Sequence, residues 1–388
     1  MIPISYNLRN LKVRKATTFA SASGIALVVF VFASSFMLSK GMDEAMDRSA
    51  RPDVAVILRK GSVAELESTI EQSKVALVEG FPEVARDARD IPQVVGELVV
   101  LIHLPKTGEK TTSNILVRGV PDDAVAFRSS LKIVEGKMPQ PGTDEVMIGQ
   151  GIRGRFQGAE LNGSIPLSKS RPVRVVGVFS DEGSSYESEL WADSHIVQDA
   201  FGRDAVVSSI RVRLQSPGKL AAFKAAVEQD RQLDLAVTSE ATYYDRQSEG
   251  TGAFISSIGT IVALLFSLAA VLGATITMNT ALANRQREIG TLRALGFSRR
   301  SILLSFLLEA MFLGLMGGTV GLLASVSMSF FKITTLNLTA HTEVAFSLNV
   351  TPEILGGSLL LAIVMGLVGG APPALRAALV SPIKAMRT

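Results

Sequence analysis

The chain is 388 residues long, enough for two or three folding units. Hydrophobic residues make up 47% and charged residues only 19%, below the roughly 25% of soluble domains, so a purely soluble protein is disfavoured. The absence of cysteine excludes disulfides, thiolate metal sites and cysteine nucleophiles, and a net charge of +3 gives no reason to invoke nucleic acid.

Residues 1–17 form a cytoplasmic amphipathic arm in which Ile4, Leu8 and Leu11 alternate with Arg9, Lys12, Arg14 and Lys15. Such an arm reads as an interfacial helix, as the positive flank of a membrane anchor, or as both. Thr18 to Leu38 then runs for 21 residues without a charge, long enough at 1.5 Å per residue to cross a hydrocarbon core of about 30 Å. Ala33 to Ser35 resembles a weak signal-peptidase site, but the apolar run exceeds the usual signal core of about 7 to 15 residues, which favours a retained first span, 18–38.

Residues 39–250 switch to a mixed pattern. Asp53 to Leu58, Val94 to Ile102, Ile115 to Val120, Val173 to Phe179, Ile210 to Leu214 and Leu233 to Val237 are short and rich in β-branched residues, as strands are. Ser62 to Glu65 has the form of a capping box, and Leu66, Ile70 and Leu77 follow at helical spacing. A second helix is predicted from Pro217, with Leu220, Phe223 and Val227 on one face. Pro105 to Lys110 turns a hairpin, and Pro139 to Thr143 is a loop. The segment therefore reads as an α+β domain, in one or two lobes.

Little in it carries chemistry. His103, His195 and His341 are far apart and none has a second ligand at metal-binding spacing, so each reads as a surface or strand histidine. Asp181, Glu182, Glu187 and Glu189 surround Ser184, Ser185 and Tyr186 in an acidic stretch that reads as a solvated loop before it reads as a partner or cation contact. Trp191, the single tryptophan, fits a core edge. Neither Gly136-Lys137 nor Gly218-Lys219 is followed by Ser or Thr, as a phosphate-binding loop requires.

Three more spans follow. Gly250 to Asn284 has 35 uncharged residues, Ser301 to Phe331 carries only Glu309, and Ile354 to Leu375 has 22 uncharged residues. Arg285, Arg287, Arg293, Arg299 and Arg300 face one acid in residues 285–300, and Arg376, Lys384 and Arg387 face none in the tail 376–388. The positive-inside rule then puts both termini and residues 285–300 in the cytoplasm, with 39–250 and a short loop, 332–353, outside. The predicted fold is a membrane α-helical protein with four transmembrane helices (18–38, 251–284, 301–331, 354–375) and a large α+β extracytoplasmic domain inserted between the first and second. A helix of 35 residues would be about 52 Å long, more than a bilayer needs, so its surplus reads as a stalk toward the outer domain.

Within residues 285–300, Ile289, Leu292 and Leu295 recur at i, i+3 and i+6 while Arg287, Glu288 and Arg293 fall elsewhere, the pattern of a short amphipathic helix. Gly296 is placed to end it and Ser298 to cap the next helix. A rigid helix between two spans can pass force from a cytoplasmic partner into both; a basic topology anchor accounts for the composition equally well. Glu309 is better placed to bond a neighbouring helix or the basic loop than to relay protons. Gly314 with Gly318, Gly317 with Gly321 and Gly366 with Gly370 form small-residue rows that allow close helix approach, within one subunit or between two.

Arg287, Glu288, Ile289, Gly290, Thr291, Leu292, Arg293, Ala294, Leu295 and Gly296 together resemble the signature loop of the FtsX-like permease family, the four-span subunits of type VII ABC transporters of the MacB and LolC/LolE kind. The resemblance continues through Leu308-Glu309-Ala310 and Gly317, Gly318 and Gly321, and into Pro372-Pro373-Ala-Leu-Arg376 and Pro382 to Arg387. Asp144 to Ile148 and Val173 to Phe179 resemble the MacB-like periplasmic core domain. The resemblance implies a multi-pass protein of the bacterial cytoplasmic (inner) membrane that pairs with a second copy or a paralogue. It also implies an ABC ATPase subunit docked on Arg287 to Gly296, with ATP and Mg held by that partner and no cofactor in this chain. MacB carries its ATPase in the same chain, whereas here 17 residues precede the first span, so the expected ATPase is a separate subunit and the chain itself is not an enzyme.

The implied function is mechanotransmission: ATP hydrolysis moves the outer domains to export or extract lipid-linked or hydrophobic cargo, with a periplasmic adaptor and membrane lipid as further partners. The alternative is an FtsX-like regulator that activates a cell-wall hydrolase without transport, which the size of the outer domain disfavours. A membrane-anchored enzyme lacks a catalytic constellation.

Overall fold

The computed structural model describes residues 15–122 and 124–380. The arm around Ile4, Leu8 and Leu11 and the closing segment Pro382 to Arg387 lie outside the described residues. In chain order the elements are helix α1 (Lys15–Asp47), β1 (Val54–Arg59), β2 (Ile70–Glu71), α2 (Ser73–Glu79), β3 (Val94–Pro105), β4 (Thr112–Val120), α3 (Ala124–Phe127), β5 (Lys132–Gly136), β6 (Glu145–Gly149), β7 (Ser164–Ser168) and β8 (Arg171–Ser180). They continue with β9 (Glu189–Asp193), α4 (Ser194–Phe201), β10 (Val206–Val207), β11 (Ser209–Arg213), α5 (Leu220–Gln229), β12 (Leu235–Ser239), α6 (Glu240–Asn284), α7 (Gln286–Ala294), α8 (Arg299–Ser327), β13 (Lys332–Asn337), β14 (Thr342–Ser347) and α9 (Pro352–Ala378). Among the described residues they form two compact units, one from residues 15–40, 254–331 and 348–380, the other from 41–122, 124–253 and 332–347.

The first unit is helical. Three of the four apolar runs lie inside a longer helix, the third run outlasts α8 through a 3₁₀ turn at Met328–Phe330, and α1, α6, α8 and α9 are long and apolar enough to cross a membrane. Helix directions follow from the contacts. Gly317 and Gly321 of α8 lie against Ala22 and Ala26 of α1 in parallel register, and Ser21, Gly24 and Ser35 of α1 meet Thr277, Ala270 and Gly259 of α6 in antiparallel register. Gly314 and Gly366 face Ala362 and Ala310 across the antiparallel α8–α9 pair. A Cβ at Gly317 would stand 2.6 Å from the Ala22 carbonyl oxygen, and one at Gly314 or Gly366 2.5 Å from the carbonyl of Ala362 or Ala310, so only glycine lets these backbones touch. Gly318 and Gly370 meet the methyl groups of Ala362 and Ala310 in the same seam. Pro373 inside α9 has no N–H for the Gly369 carbonyl; Thr275 Oγ1 of α6 donates to that carbonyl instead, at 2.8 Å.

The second unit is built on a ten-stranded mixed sheet in the order β12-β1-β11-β3-β4-β9-β6-β8-β5, with β7 on the edge of β8. Long β3 divides its partners: Val94 to Glu97 pair with β11 and Leu98 to Pro105 with β4. One core therefore gathers under β1, β11 and β12 with Phe223 and Val227 of α5, and another under β4, β6, β8 and β9. Phe223 and Val227 are fully buried, worth roughly 1.5 to 3 kcal/mol each.

All six predicted strands are present, and the helix from Pro217 forms as a 3₁₀ turn leading into α5. Two readings are corrected. The capping-box helix does not form: Ser62 caps nothing, Glu65–Glu67 is a single 3₁₀ turn, and Ile70 enters a strand. Its N3 carboxylate is the reason, since Glu65 is turned inward onto Arg118 and Arg211 and cannot reach back to a helix start. The segment 332–353, read above as a short outer loop, contains a β-hairpin, β13–β14, that belongs to the second unit. Glu343 pairs with Lys106 and Arg155, and the Ala345 N–H donates to Ser188 Oγ.

Candidate functional site

Two arrangements stand out, one in each unit. In the first, Gln286–Ala294 is a separate nine-residue helix, α7. Gly296, at φ +95°, ends it: the N–H groups of Gly296 and Phe297 return to the carbonyls of Arg293 and Leu292, both at 3.2 Å. Ser298 Oγ then accepts from the Ser301 N–H and starts α8. The reversal leaves α7 with two unlike faces. Ile289 is buried among Met278, Leu282, Ile302 and Phe306, and Gly290 is buried beside it. Arg287, Glu288, Thr291, Ala294 and Leu295 are exposed, as are Gly296, Arg299 and Arg300, while Leu292 and Arg293 are half-buried. Leu295 is an apolar side chain left 73% exposed.

What holds α7 down is ionic as well as apolar. Buried Arg285, just ahead of the helix, donates from Nη1 to Glu309 Oε2 at 2.9 Å and from Nε to Glu288 Oε2 at 3.0 Å. Its guanidinium lies 5.3 Å from the centre of the Phe306 ring. The lone carboxylate of α8 is thus 3% exposed and neutralised by the basic segment. The sequence offers a neighbouring helix or the basic loop as the partner of Glu309; in the structure that partner is Arg285, at the start of the basic loop and 24 positions earlier.

The second arrangement is a hub of buried charge in the other unit. Arg118 of β4 grips Glu189 with Nε and Nη2, both at 2.7 Å, and also donates to Glu65 and Glu97. Arg211 of β11 donates to Glu97 at 2.9 Å, to Glu65 at 3.0 Å and to Glu240 at 2.5 Å. Arg128 donates to the other oxygen of Glu97 at 3.0 Å and stacks 3.9 Å from the Tyr186 ring centre. Three guanidinium groups thus share four carboxylates, all seven side chains buried. Burial pushes Glu65 up, but Arg118 and Arg211 outweigh it and hold its carboxyl at about 2. Glu97 is likewise held far below the usual range, by Arg128, Arg211 and Arg118 against the cost of burial. Burial pushes the hydroxyls of Tyr186, Tyr243 and Tyr244 above their ordinary value.

The hub corrects the picture of a solvated acidic loop. Glu182 is exposed, but Asp181, Glu187 and Glu189 are buried: Glu187 accepts from Ser180 Oγ and from the N–H groups of Asp181 and Gly183. Trp191 is fully buried and donates Nε1 to Glu189. His103, His195 and His341 are exposed, and among the described residues no group of three or more His, Cys, Asp or Glu is placed to hold a metal. Sequence reading missed the hub, although one signal was present. Glu240, Tyr243, Tyr244, Gln247, Ser248 and Thr251 recur at helical spacing and all are buried; the stripe is polar and so escapes a search for apolar periodicity.

Comparison with known proteins fits both units. Residues 17–230 match the MacB-like periplasmic core domain and residues 260–382 match the FtsX-like permease C-terminal domain. The ABC transporter permease YvrN of Bacillus subtilis is 30% identical over 295 residues, 70% of this chain and 69% of YvrN. An ABC transporter permease of Methanocaldococcus jannaschii is 24% identical over 249 residues, 62% of this chain and 61% of its own. The pyoverdine export ATP-binding/permease protein PvdT of Pseudomonas entomophila is 30% identical over 263 residues, 63% of this chain but only 38% of PvdT.

Proposed function

Because the chain belongs to the ABC transporter permeases that join a MacB-like periplasmic core domain to an FtsX-like permease C-terminal domain, we propose that it is the membrane lever of an ATP-driven exporter. Both termini and α7 face the cytoplasm of a bacterial inner membrane, and the α+β unit faces the periplasm. A separate ABC ATPase, holding ATP and Mg, docks on the exposed side of α7, and a second permease copy or a paralogue completes the complex. Nucleotide-driven closure of the ATPases pushes α7, the push tilts the long helices, and the outer domains move cargo that never passes between the spans. The cargo is lipid-linked or hydrophobic, and a periplasmic adaptor receives it.

One observation carries the reading. Helix α7 is anchored from behind by Ile289 and the Arg285–Glu309 pair, yet it presents Arg287 and the unburied side chain of Leu295 on its other side. A helix fastened on one face and offered on the other is what force transfer from a partner requires. The 45 residues of α6, about 68 Å of helix, are long enough to carry that force past a bilayer. The name of the relative PvdT as an export protein supports transport rather than regulation.

The test is co-purification from native membranes. An ABC ATPase with MgATP hydrolysis in the eluate should accompany the unaltered chain, and Arg287→Glu with Leu295→Asp should reduce its recovery at least tenfold. Recovery of the ATPase undiminished by the double variant, or of a cell-wall hydrolase with no ATPase, would overturn the reading.

A further inference from the structure

A lever moves its load only if the joint between them is stiff. At the start of α6 there is no loop to absorb a tilt: Ser239 is the last residue of β12, paired with Ala55 of β1, and Glu240 is the first residue of the helix. Glu240 is 1% exposed. One oxygen of its carboxylate accepts from Arg211 Nη1 at 2.5 Å and lies 3.4 Å from the Tyr186 hydroxyl. The other accepts from the backbone N–H of Arg51 at 2.9 Å. One turn on, the Tyr244 hydroxyl bonds that of Tyr186 at 2.5 Å and receives Arg211 Nη2 at 3.3 Å.

The chain crosses between the units four times; besides the two crossings that flank the hairpin at 332–347, it enters this unit at residues 41–51 and leaves it through α6. Both passages are tied at the same point, since Arg51 meets Glu240 and Ser49 Oγ bonds Ser185 Oγ at 2.7 Å next to Tyr186. Arg211 extends the tie into the sheet: it shares Glu65 and Glu97 with Arg118, and so reaches β3 in one hydrogen bond, β4 in two and β9 in three.

We infer that Glu240, with Arg211 and Tyr244, is the positioning joint that makes the first turns of α6 and the ten-stranded sheet one rigid body, so that a tilt of the helix becomes a displacement of the whole domain. The inference rests on the lever reading above and adds the residues that deliver the motion. A pool of buried, mutually paired charges suits the task better than apolar packing. Each guanidinium–carboxylate contact fixes an angle as well as a distance, and so adds a directional tie to the packing around it.

The experiment uses the full-length chain with its ATPase in nanodiscs. The chain has no cysteine, so Lys169→Cys, in an exposed turn of the unit, accepts a single spin label. The distance between labels on the two copies is measured without nucleotide and with trapped MgATP. The unaltered joint should show a nucleotide-dependent distance change. Glu240→Gln should abolish at least half of it while ATPase turnover stays within twofold and Trp191 emission stays unchanged. A fold defect would lower all three together, so retained turnover with lost movement separates a joint from a prop.

If Glu240→Gln fails to fold, Tyr244→Phe keeps the ring and removes the hydroxyl tie, and it should cut the distance change without altering turnover. Movement of unaltered size in the variant that folds would overturn the inference. A distance that does not respond to nucleotide even in the unaltered chain would overturn the lever reading itself.

Discussion

Arg285 and Glu309 form a buried pair at 2.9 Å that joins the segment before α7 to the third turn of α8. Neither group is well placed alone, because removing one partner leaves the other charged in an apolar setting. Glu309→Ala should therefore cost about 3 to 5 kcal/mol, the range for breaking a buried pair. Arg285→Met with Glu309→Leu, which removes both charges at similar volume, should recover most of that loss. Thermal unfolding of the detergent-solubilised chain measures both; equal midpoints for the single and double variants would refute the pairing argument.

The glycines of the helical unit divide sharply. Gly317→Ala drives a methyl into the Ala22 carbonyl and the Ile25 side chain, and Gly314→Ala into the Ala362 carbonyl, so each should lower the midpoint by the equivalent of roughly 1 to 3 kcal/mol. Gly356 sits in α9 with open space around its missing Cβ. There Gly→Ala should be neutral or stabilising by about 0.4 to 1 kcal/mol, through the unfolded chain. Equal effects at the two kinds of position would mean that the close approaches carry no weight.

Acid should dismantle the charged hub over a defined interval of pH. Glu65 titrates near 2 in the folded protein and at 4.5 by its ordinary value, so its folded-state pKa is depressed. A depressed carboxylate contributes stability that is complete above about 4.5 and is lost as pH falls toward 2. Glu97, shifted the same way, adds to the fall. The midpoint followed by Trp191, whose indole N–H donates to Glu189 of the hub, should be flat from pH 8 to 5 and drop below 4.5. Glu65→Gln should start lower and lose less over that interval; an identical acid slope in the variant would remove Glu65 from the account.

The spans and α7 were legible in the sequence because their signals are local. Uncharged runs exceed a bilayer's demand, Ile289 sits at helical spacing, and Gly296 and Ser298 punctuate the turn within three residues. The hub was not, because its partners are brought together by strand order: Arg211 meets Glu65 across 146 positions and Ser49 meets Ser185 across 136. Charged residues in a soluble-looking stretch are read as solvated by default, and only the topology of the sheet reveals that Glu97 and Arg118 point into it. The polar stripe from Glu240 to Thr251 had the right period and the wrong chemistry for a hydrophobic search. The hairpin at 332–347 failed for a related reason: its ion pairs with Lys106 and Arg155 lie far away in sequence.

Thr275 and Pro373 make a smaller argument of the same kind. A proline within a helix leaves the carbonyl four residues earlier without its N–H, and in an apolar surrounding that carbonyl finds no water. Thr275 Oγ1 is 2.8 Å from the Gly369 carbonyl and 2.9 Å from its own Val271 carbonyl, so the one hydroxyl hydrogen is shared between two acceptors. Thr275→Val keeps the shape and removes the donor; it should destabilise by about 1 to 3 kcal/mol, the cost of a buried acceptor left unmade. Pairing it with Pro373→Ala, which restores the helix's own N–H to Gly369, should cancel most of the loss. The double-variant cycle distinguishes the two accounts: a coupling energy near zero would show that Thr275 packs against α9 without repairing it.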